Sequence, residues 1–303
     1  MKKNLGKTTV RLSAIGLGTG DYFWNSSLNN TEKIDLIHLA IKSGINFIDT
    51  AEEYGNGISE STVGEAIHNN RDKVFLASKF SPQNHRYNDV ISSCERSLKR
   101  LKSDFIDIYQ IHWPNPAISL KDTINGMKKL YEDGKIRAIG ISNYSLSEIK
   151  NIIRYLKDVP LSSIQMEYNL YERTIENNGI LEFCENNNIS LLAYSPLDQG
   201  QMFVISPNRR AVLSRIAKKY NKSIYQIILN FLINRNPVIS IVRTTSKKHL
   251  LQNIQSMNFK LLNEDIKLIQ KTFPIEYYKI PINKIMVSNS GEWGHKVYQT
   301  LDQ

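Results

Sequence analysis

The sequence predicts a protein of the α/β class, in which eight parallel strands alternate with helices and close into a barrel. Three observations support this prediction. Short apolar, β-branched runs recur about every thirty residues, as in repeated βαβ units. Helical patterns lie between the runs, and no linker rich in Pro, Gly or Ser interrupts the series. Crossovers through a helix require neighbouring strands to pair in parallel.

The candidate strands are almost continuously apolar and do not alternate between apolar and polar residues. This pattern is typical of parallel strands that are covered on both faces. The eight predicted strands are Ala14–Thr19, Ile45–Asp49, Val74–Lys79, Phe105–His112, Ile136–Ile141, Ser163–Met166, Ile189–Tyr194 and Val238–Val242.

The segments between the strands have the spacing of amphipathic helices. Ile149, Ile152 and Leu156 fall on one helical face. Ser145 and Glu148 stand before this face at the spacing of a capping box, which predicts the start of the helix. Similar spacing predicts helices around residues 120–131, 224–232 and 263–272.

An open doubly wound sheet is the alternative architecture. Such a sheet that binds a dinucleotide carries a glycine fingerprint after its first strand, at the start of a helix. The only candidate is Gly16-Leu17-Gly18-Thr19-Gly20, where the last glycine comes one residue early and a non-helical segment, DYFWNSS, follows. The closed barrel is therefore preferred.

Two segments lie outside the eight units. Lys2–Ser13 is predicted to form a hairpin that turns at Gly6 and plugs the bottom of the barrel. The expected division is a barrel over residues 1–272 and a short C-terminal extension over residues 273–303. For the extension we expect a packing role or a dimer contact.

Composition places the chain among ordinary enzymes and limits its compartment. Of 303 residues, 41% are hydrophobic and 22% are charged. No apolar run approaches the roughly 18 residues of a membrane span, and the first residues lack the apolar core of a secretory signal. Cys94 and Cys184 are too few for a disulfide framework. A cytoplasmic protein that does not enter a membrane is expected.

The net charge of +10 raises the question of nucleic acid binding. Lys and Arg are scattered along the chain, and the short basic pairs fall on helical segments, where solvated faces are the ordinary arrangement. The pattern does not favour a nucleic acid partner. A cofactor or substrate that carries phosphates accounts equally well for part of the charge.

Polar residues end six of the predicted strands, although each strand is otherwise apolar. In a β/α barrel the carboxyl ends of the strands surround the active site. A single polar strand end is commonly a satisfied structural group, but six in succession indicate a site. These residues are Asp49, Lys79, His112, Asn143, Gln165 and Tyr194.

Several motifs resemble those of the aldo-keto reductase superfamily. GINFIDTAEEYGNGISESTVGEAI at 44–67 resembles its signature, and ASKF at 77–80 and QIHWP at 110–114 match two further motifs. GISNY, QMEYN and AYSPL, which begin at Gly140, Gln165 and Ala193, resemble its cofactor-side motifs. The resemblance covers about residues 3–272. It implies an eight-fold β/α barrel that binds NAD(P)H in extended form without a Rossmann domain.

By this resemblance Asp49, Tyr54, Lys79 and His112 form the catalytic tetrad. Carbonyl reduction needs a hydride and a proton, and a tyrosine hydroxyl, with an ordinary pKa of about 10, is a weak acid. A neighbouring ammonium favours the tyrosinate. Lys79 would supply that charge, Asp49 would hold Lys79, and Tyr54 would be the general acid, an effect of order 10²–10⁴-fold. His112, neutral and donating a hydrogen bond, would polarise the carbonyl oxygen.

The polar residues allow two other interpretations. Glu52 and Glu53 are interpreted as loop or structural residues, because adjacent residues do not normally face each other across a substrate as a glycosidase pair does. A metal-dependent hydrolase is not supported, since no pair of His or carboxylate residues has ligand spacing. No metal is therefore expected.

The resemblance also assigns a cofactor site. It implies that Tyr194 stacks on the nicotinamide, with hydrogen bonds from Ser142, Asn143 and Gln165, and that Ser195 and Leu197 line the pyrophosphate. It places Arg243, Thr244, His249, Gln252 and Asn253 around the adenosine 2′-phosphate and adenine. Arg243 could hold a phosphate in bidentate fashion. NADPH is the expected cofactor, and NADH remains possible because His249 and Gln252 replace the family's Arg and Glu.

The substrate is less well determined. Tyr22, Trp24, Phe80 and Trp113 are expected to wall the pocket. Aromatic walls suit small aldehydes and ketones, and equally the face of a sugar or nucleotide-linked sugar. The expected activity is reduction of such a carbonyl to an alcohol. The alternative is a sensor or regulatory subunit that binds the nucleotide with little turnover, and the sequence leaves the oligomeric state open.

Overall fold

The computed structural model describes residues 1–20, 23, 25–198 and 206–275. Its centre is a closed barrel of eight parallel strands, which confirms the predicted fold class. A two-stranded antiparallel hairpin, β1 and β2, precedes the barrel. The strands are β1 Lys2–Asn4, β2 Arg11–Ser13, β3 Ile15–Gly18, β4 Phe47–Asp49, β5 Phe75–Phe80, β6 Ile108–Ile111, β7 Ile139–Ser142, β8 Leu161–Glu167, β9 Ser190–Tyr194 and β10 Val238–Val242.

The barrel strands pair in chain order, and β10 closes the ring on β3 with Ser240 opposite Ile15. Five strands, β3, β4, β6, β7 and β9, are shorter than the apolar runs predicted. β6 and β7 begin late because Ile106 and Ile136 meet only as an isolated bridge before regular pairing starts. Both side chains are nevertheless buried, so the apolar pattern reports their burial and not the extent of the strand.

Helices lie between successive barrel strands, and two of them lie between β9 and β10. Ser145 caps α5 through the capping box with Glu148 that the sequence predicts. The predicted helices around 120–131, 224–232 and 263–272 are confirmed as α4, α8 and α10. In the described chain the helices are α1 Asn30–Lys42, α2 Ile58–Ile67, α3 Tyr87–Leu101, α4 Leu120–Glu132, α5 Leu146–Leu156, α6 Ile180–Asn187, α7 Pro207–Tyr220, α8 Ile224–Ile233, α9 Lys247–Gln255 and α10 Asn263–Thr272.

The hairpin closes the floor of the barrel, as predicted. Gly6 lies in the turn with φ of +53°, a conformation that residues other than glycine rarely adopt. Leu5 and Leu12 are buried and pack with inward-facing residues of the barrel such as Phe47 and Ile108. The amino-terminal end of the barrel is therefore filled with apolar side chains, and the opposite end is left for a site.

The described chain ends just after α10. Phe273 is buried, and its carbonyl accepts a hydrogen bond from Arg173 Nη1 at 2.6 Å. Residues 276–303 of the expected C-terminal extension lie outside the described residues. The division into a barrel over 1–272 and an extension over 273–303 stays a prediction. None of the helices in the described ranges is long and apolar enough to cross a membrane.

Candidate active site

A buried ion pair lies at the carboxyl end of the barrel. Lys79, on β5, is fully buried, and its Nζ lies 2.6 Å from Oδ1 of Asp49, the last residue of β4. Lys79 Nζ also donates to the Thr50 carbonyl at 2.9 Å. Neighbouring parallel strands bring the two side chains together because Asp49 and Lys79 both point into the barrel.

Asp49 accepts further hydrogen bonds from two amides inside the barrel. Gln165 Nε2, from β8, lies 2.9 Å from Asp49 Oδ2, and Gln110 Nε2, from β6, lies 3.3 Å from the same oxygen. Three donors from three other strands thus fix this carboxylate. Hydrogen bonds and an opposite charge stabilise its ionised form.

Asp49 and Tyr54 control the charge of Lys79. Burial acts to lower the pKa of Lys79, but the attraction of Asp49, followed by that of Tyr54, outweighs burial and raises it. Lys79 therefore stays an ammonium in a fully buried position, which is the state that a tyrosine acid requires of its neighbour.

Tyr54 lies beside this ammonium in the loop between β4 and α2. Lys79 Nζ donates to the Tyr54 hydroxyl oxygen at 3.3 Å. The loop can turn sharply because Gly55 and Gly57 have φ of +60° and +89°. The Ser59 amide donates to the Tyr54 carbonyl at 3.2 Å, which anchors the loop to the first turn of α2.

His112 follows β6 and faces the tyrosine. The rings of Tyr54 and His112 are 5.6 Å apart between centroids and meet edge to face at 81°. His112 Nδ1 lies 2.7 Å from Glu53 Oε2, without the alignment of a regular hydrogen bond. The structure thus brings all four predicted tetrad residues together, and it adds Glu53 to them.

The contact with Glu53 bears on the state of His112. A carboxylate oxygen and an unprotonated ring nitrogen would repel each other at 2.7 Å, so this geometry favours a proton on Nδ1. A neutral imidazole protonated on Nδ1 has an acceptor at Nε2. The neutral, donating His112 that the resemblance implies stays a prediction.

A second hydrogen-bonded group adjoins the tetrad at the ends of β7, β8 and β9. The Tyr194 hydroxyl donates to Asn143 Oδ1 at 2.9 Å, and Asn143 Nδ2 donates to the His112 carbonyl at 3.0 Å. Ser142 Oγ donates to the Gln165 carbonyl at 3.0 Å. The four residues assigned to the nicotinamide by resemblance therefore lie together, and Gln165 links them to Asp49.

The other expected cofactor residues lie outside this hydrogen-bonded group. Ser195, in the left-handed region with φ of +48°, and the partly buried Leu197 follow β9. Arg243 and Thr244 follow β10 and are half-buried, and Ser246 caps the start of α9. His249 is exposed on the first turn of α9, Gln252 is half-buried, and Asn253 is buried.

The four expected pocket residues differ in placement. Trp113 is half-buried, with its ring 6.4 Å from that of His112. Phe80 does not line a pocket: it is fully buried and packs on His85 and Tyr109. Side chains alternate along a strand, so Phe80 points outward to the helices because Lys79 points inward. Tyr22 and Trp24 lie outside the described residues.

Two residues beside the tetrad, Gln110 and Glu53, are not predicted from the sequence, and neither is the buried His85, which packs on Phe80. Gln110 stands two residues before His112, and strand alternation could have placed it on the inner face. Glu53 was interpreted as a loop residue, and no pattern in the sequence indicates its contact with His112. His85 is almost completely buried, and burial lowers its pKa to about 4 against the opposing effect of a hydrogen bond with the Trp113 backbone.

The structure offers no alternative centre of metal chemistry in the part of the chain that it describes. Within residues 1–20, 23, 25–198 and 206–275, no group of three His, Cys, Asp or Glu side chains could hold a metal ion.

Comparison with known proteins connects this site to one family. The model of the Aldo/keto reductase family matches residues 14–273. Methylglyoxal reductase YeaE of Escherichia coli is 32% identical over 276 residues, covering 91% of this chain and 96% of the relative. Glyoxal reductase of Bacillus subtilis is 34% identical over 247 residues, covering 80% and 83%.

Solved structures agree with this result. The thermostable aldo-keto reductase Tm1743, in complex with the inhibitor epalrestat, superposes with a TM-score of 0.85 at 36% identity, over 90% of this chain and 99% of that one. An aldo/keto reductase from Klebsiella pneumoniae in complex with NADP and acetate gives a TM-score of 0.82 at 28% identity, over 91% and 96%. The chain belongs to the aldo/keto reductase family.

Proposed function

We propose that the protein reduces the carbonyl group of a small aldehyde or ketone to an alcohol, with NADPH as the hydride donor. One observation carries the proposal: the Tyr54 hydroxyl lies 3.3 Å from a buried Lys79 ammonium that is itself paired with Asp49. A tyrosine in this position can give up its proton at a pH where an ordinary tyrosine cannot.

The residues of the site divide the proton chemistry between them. A bound reduced nicotinamide supplies a hydride, with its electron pair, to the carbonyl carbon. Tyr54 gives its hydroxyl proton to the carbonyl oxygen, which becomes the alcohol. Lys79 stabilises the tyrosinate that remains, and Asp49 keeps Lys79 charged and in place. Solvent returns a proton to Tyr54 before the next turnover.

The donors and acceptors near the tetrad fit a nicotinamide carboxamide. Gln165 uses Nε2 to bind Asp49, while its Oε1 makes no hydrogen bond with any described residue and can accept from a carboxamide N–H. Asn143 Nδ2 donates to the His112 carbonyl and to Ser142 Oγ, and Ser142 Oγ donates to the Gln165 carbonyl, so either side chain would exchange one of these partners on binding a carboxamide. Tyr194 is half-buried at the same rim, so its ring can stack on a nicotinamide.

The far end of the proposed cofactor site fits a phosphate. Lys247, Lys248 and His249 occupy the first turn of α9, and Arg243 precedes them by a few residues. A helix N-terminus with adjacent cations favours an anion, because free N–H groups and the helix dipole act in the same direction. This favours NADPH, which carries a 2′-phosphate, over NADH.

The relatives indicate the class of substrate. Two of them are named for the reduction of methylglyoxal and glyoxal, which are small dicarbonyl compounds. We propose substrates of this size for the present protein. A sugar or nucleotide-linked sugar stays a second possibility that a substrate panel decides. A cytoplasmic location accords with the use of NADPH and stays a prediction, as does the oligomeric state.

The direct test is Tyr54→Phe, which keeps the ring and removes the acid. NADPH binding, measured through the change in cofactor fluorescence, is expected to persist in this variant. Carbonyl-dependent NADPH oxidation is expected to fall by about 10²-fold or more. A variant that turns over at the wild-type rate would refute the assignment of Tyr54. If the wild type binds NADPH but reduces nothing in a panel of dicarbonyls, aldehydes and keto-sugars, a sensor or regulatory role replaces the enzymatic one.

A further inference from the structure

The contact between Glu53 and His112 determines which atoms His112 can present to a substrate. Glu53 Oε2 and His112 Nδ1 are 2.7 Å apart, and the two side chains are only 18% and 12% exposed. Two acceptors cannot approach this closely, so a proton lies between them. Its place on Nδ1 leaves Nε2 as the nitrogen that can reach a ligand.

Glu53 has no competing partner for its charge. Among the described residues its carboxylate contacts no Lys or Arg, and His112 is its only ionic partner. The two carboxylates next to it in the fold are used elsewhere: Asp49 pairs with Lys79, and Glu52 accepts from the Ser81 amide and Asn84 Nδ2, both at 2.7 Å. The negative charge of Glu53 therefore acts on the His112 ring.

Groups of the tetrad also lie beside this ring. Tyr54 meets the ring edge to face at 5.6 Å, and Lys79 Nζ, which donates to the Tyr54 hydroxyl, is paired with Asp49. Trp113, whose ring is 6.4 Å away, carries no charge. Among the described residues, Glu53 is the carboxylate in ionic contact with His112.

We propose that Glu53 is a positioning residue that holds a proton on His112 Nδ1, so that His112 meets the substrate as an imidazolium paired with a carboxylate. Both ring nitrogens of an imidazolium are donors. Nε2–H then donates to the carbonyl oxygen that receives the Tyr54 proton, and a charged donor binds a developing alkoxide more strongly than a neutral one. This inference rests on the proposed carbonyl reduction.

The pair can be observed without turnover by ¹⁵N NMR of protein labelled at histidine. The chain has six histidines, so His112→Asn identifies the His112 signals by their loss. At pH 7 the wild type is expected to show two protonated ring nitrogens at His112. Glu53→Met and Glu53→Gln are expected to show a neutral ring. A neutral His112 ring in the wild type, in either tautomer, overturns the proposal, and so does a spectrum that neither substitution changes.

Glu52→Gln is the matched control, because this neighbouring glutamate binds Ser81 and Asn84 and does not contact His112. Its amide oxygen can still accept both hydrogen bonds, so the His112 signals are expected to stay as in the wild type. A loss of the imidazolium pattern in this control would show a general loop effect and overturn the specific role of Glu53.

Kinetics provide the second readout. Glu53→Met is expected to lower kcat for carbonyl reduction by about 10-fold, because a neutral ring that donates from Nε2 binds a developing oxyanion less strongly than a charged donor does. KM for NADPH is expected to stay the same, since the ionic partner of Glu53 is His112. An unchanged kcat, with the imidazolium lost, overturns the catalytic consequence. Absence of any wild-type turnover refutes the proposed function instead, while the NMR result still tests the pair.

Discussion

Gln165 Nε2 donates to Asp49 Oδ2 at 2.9 Å, although the two residues are 116 positions apart in the chain. This hydrogen bond connects the part of the site that handles the proton with the part that we assign to the cofactor. Gln165 Nε2 holds the Asp49 carboxylate, which in turn holds Lys79. We assign Gln165 Oε1 to the nicotinamide carboxamide as a hydrogen-bond acceptor. Binding and chemistry are therefore expected to respond together when this side chain is changed.

The first prediction concerns the two amides on Asp49. Gln165→Leu removes a donor to Asp49 and an acceptor for the carboxamide, so kcat is expected to fall about 10-fold and the Kd for NADPH to rise by a similar factor, since one such hydrogen bond is worth about 1.5 kcal/mol. Gln110→Leu removes only the donor and is the control. If both variants change Kd equally, Gln165 has no special role toward the cofactor.

The second prediction concerns the buried charge of Lys79. Asp49→Asn leaves this ammonium without its counter-charge, so the free energy of unfolding at pH 7 is expected to fall by about 3–5 kcal/mol, measured in urea. Adding Lys79→Met to Asp49→Asn is expected to recover part of the loss. A double variant as unstable as the single one would show that the unpaired charge is not the cause.

The ion pair of Lys79 and Asp49 also makes the free energy of unfolding depend on pH in the alkaline range. The pKa of Lys79 is raised in the folded state, so its contribution is complete below pH 10.5 and is lost as the pH rises through the raised value. The wild type is expected to lose unfolding free energy in this range faster than the Asp49→Asn/Lys79→Met double variant. Equal slopes of the two proteins above pH 10.5 would contradict this expectation.

The third prediction concerns His85. Burial lowers its pKa from 6.5 to about 4, so the folded state resists protonation that the unfolded chain accepts. The stability contribution is present above pH 6.5 and is lost as the pH falls toward 4, by about 3 kcal/mol. His85→Gln is expected to lose less stability than the wild type over this range in urea titrations. If the free energy of unfolding falls equally with pH in the two proteins, protonation of His85 does not destabilise the folded state, and the prediction is wrong.

The fourth prediction concerns the choice of cofactor. Arg243→Met removes a half-buried cation near the start of α9, and the Kd for NADPH is expected to rise at least 10-fold because a charged hydrogen bond to phosphate is lost. The Kd for NADH is expected to change by less than threefold. Arg154→Met, on α5, removes a distant exposed arginine as the control. Equal weakening of both nucleotides would place Arg243 away from the 2′-phosphate.

Strand patterns predicted most of the fold, because the physics that creates them is regular, and they singled out Asp49, Lys79 and His112 as polar strand ends, whereas Tyr54 is assigned by the family resemblance. Parallel strands that bear helices on both faces must be apolar, so polar residues such as Asp49 and Lys79 stand out at their ends. The expectation that Phe80 walls the pocket did not take strand alternation into account: Phe80 follows the inward-facing Lys79 and is buried against His85 and Tyr109. One step along a strand reverses the direction of the side chain.

Loop geometry explains what the sequence did not reveal. Gly55, Asn56 and Gly57 all have positive φ and turn the chain tightly after Tyr54, and Glu53 contacts His112 from this loop. The course of such a loop depends on several backbone angles together, and no periodicity in the sequence predicts it. The contact on which the proposed protonation of His112 is based is therefore visible only in the folded arrangement.

The hairpin at the floor of the barrel gives the chain a particular order of assembly. Lys3 Nζ donates to the carbonyls of Ile233 and Arg235, which lie 230 and 232 positions later, and the Gly6 amide donates to Ser190 Oγ at 2.9 Å. The first strand of the hairpin thus depends on partners far along the chain. Closing so long a loop is entropically costly. The floor of the barrel therefore forms through contacts of high sequence separation, which are expected to be slow to form.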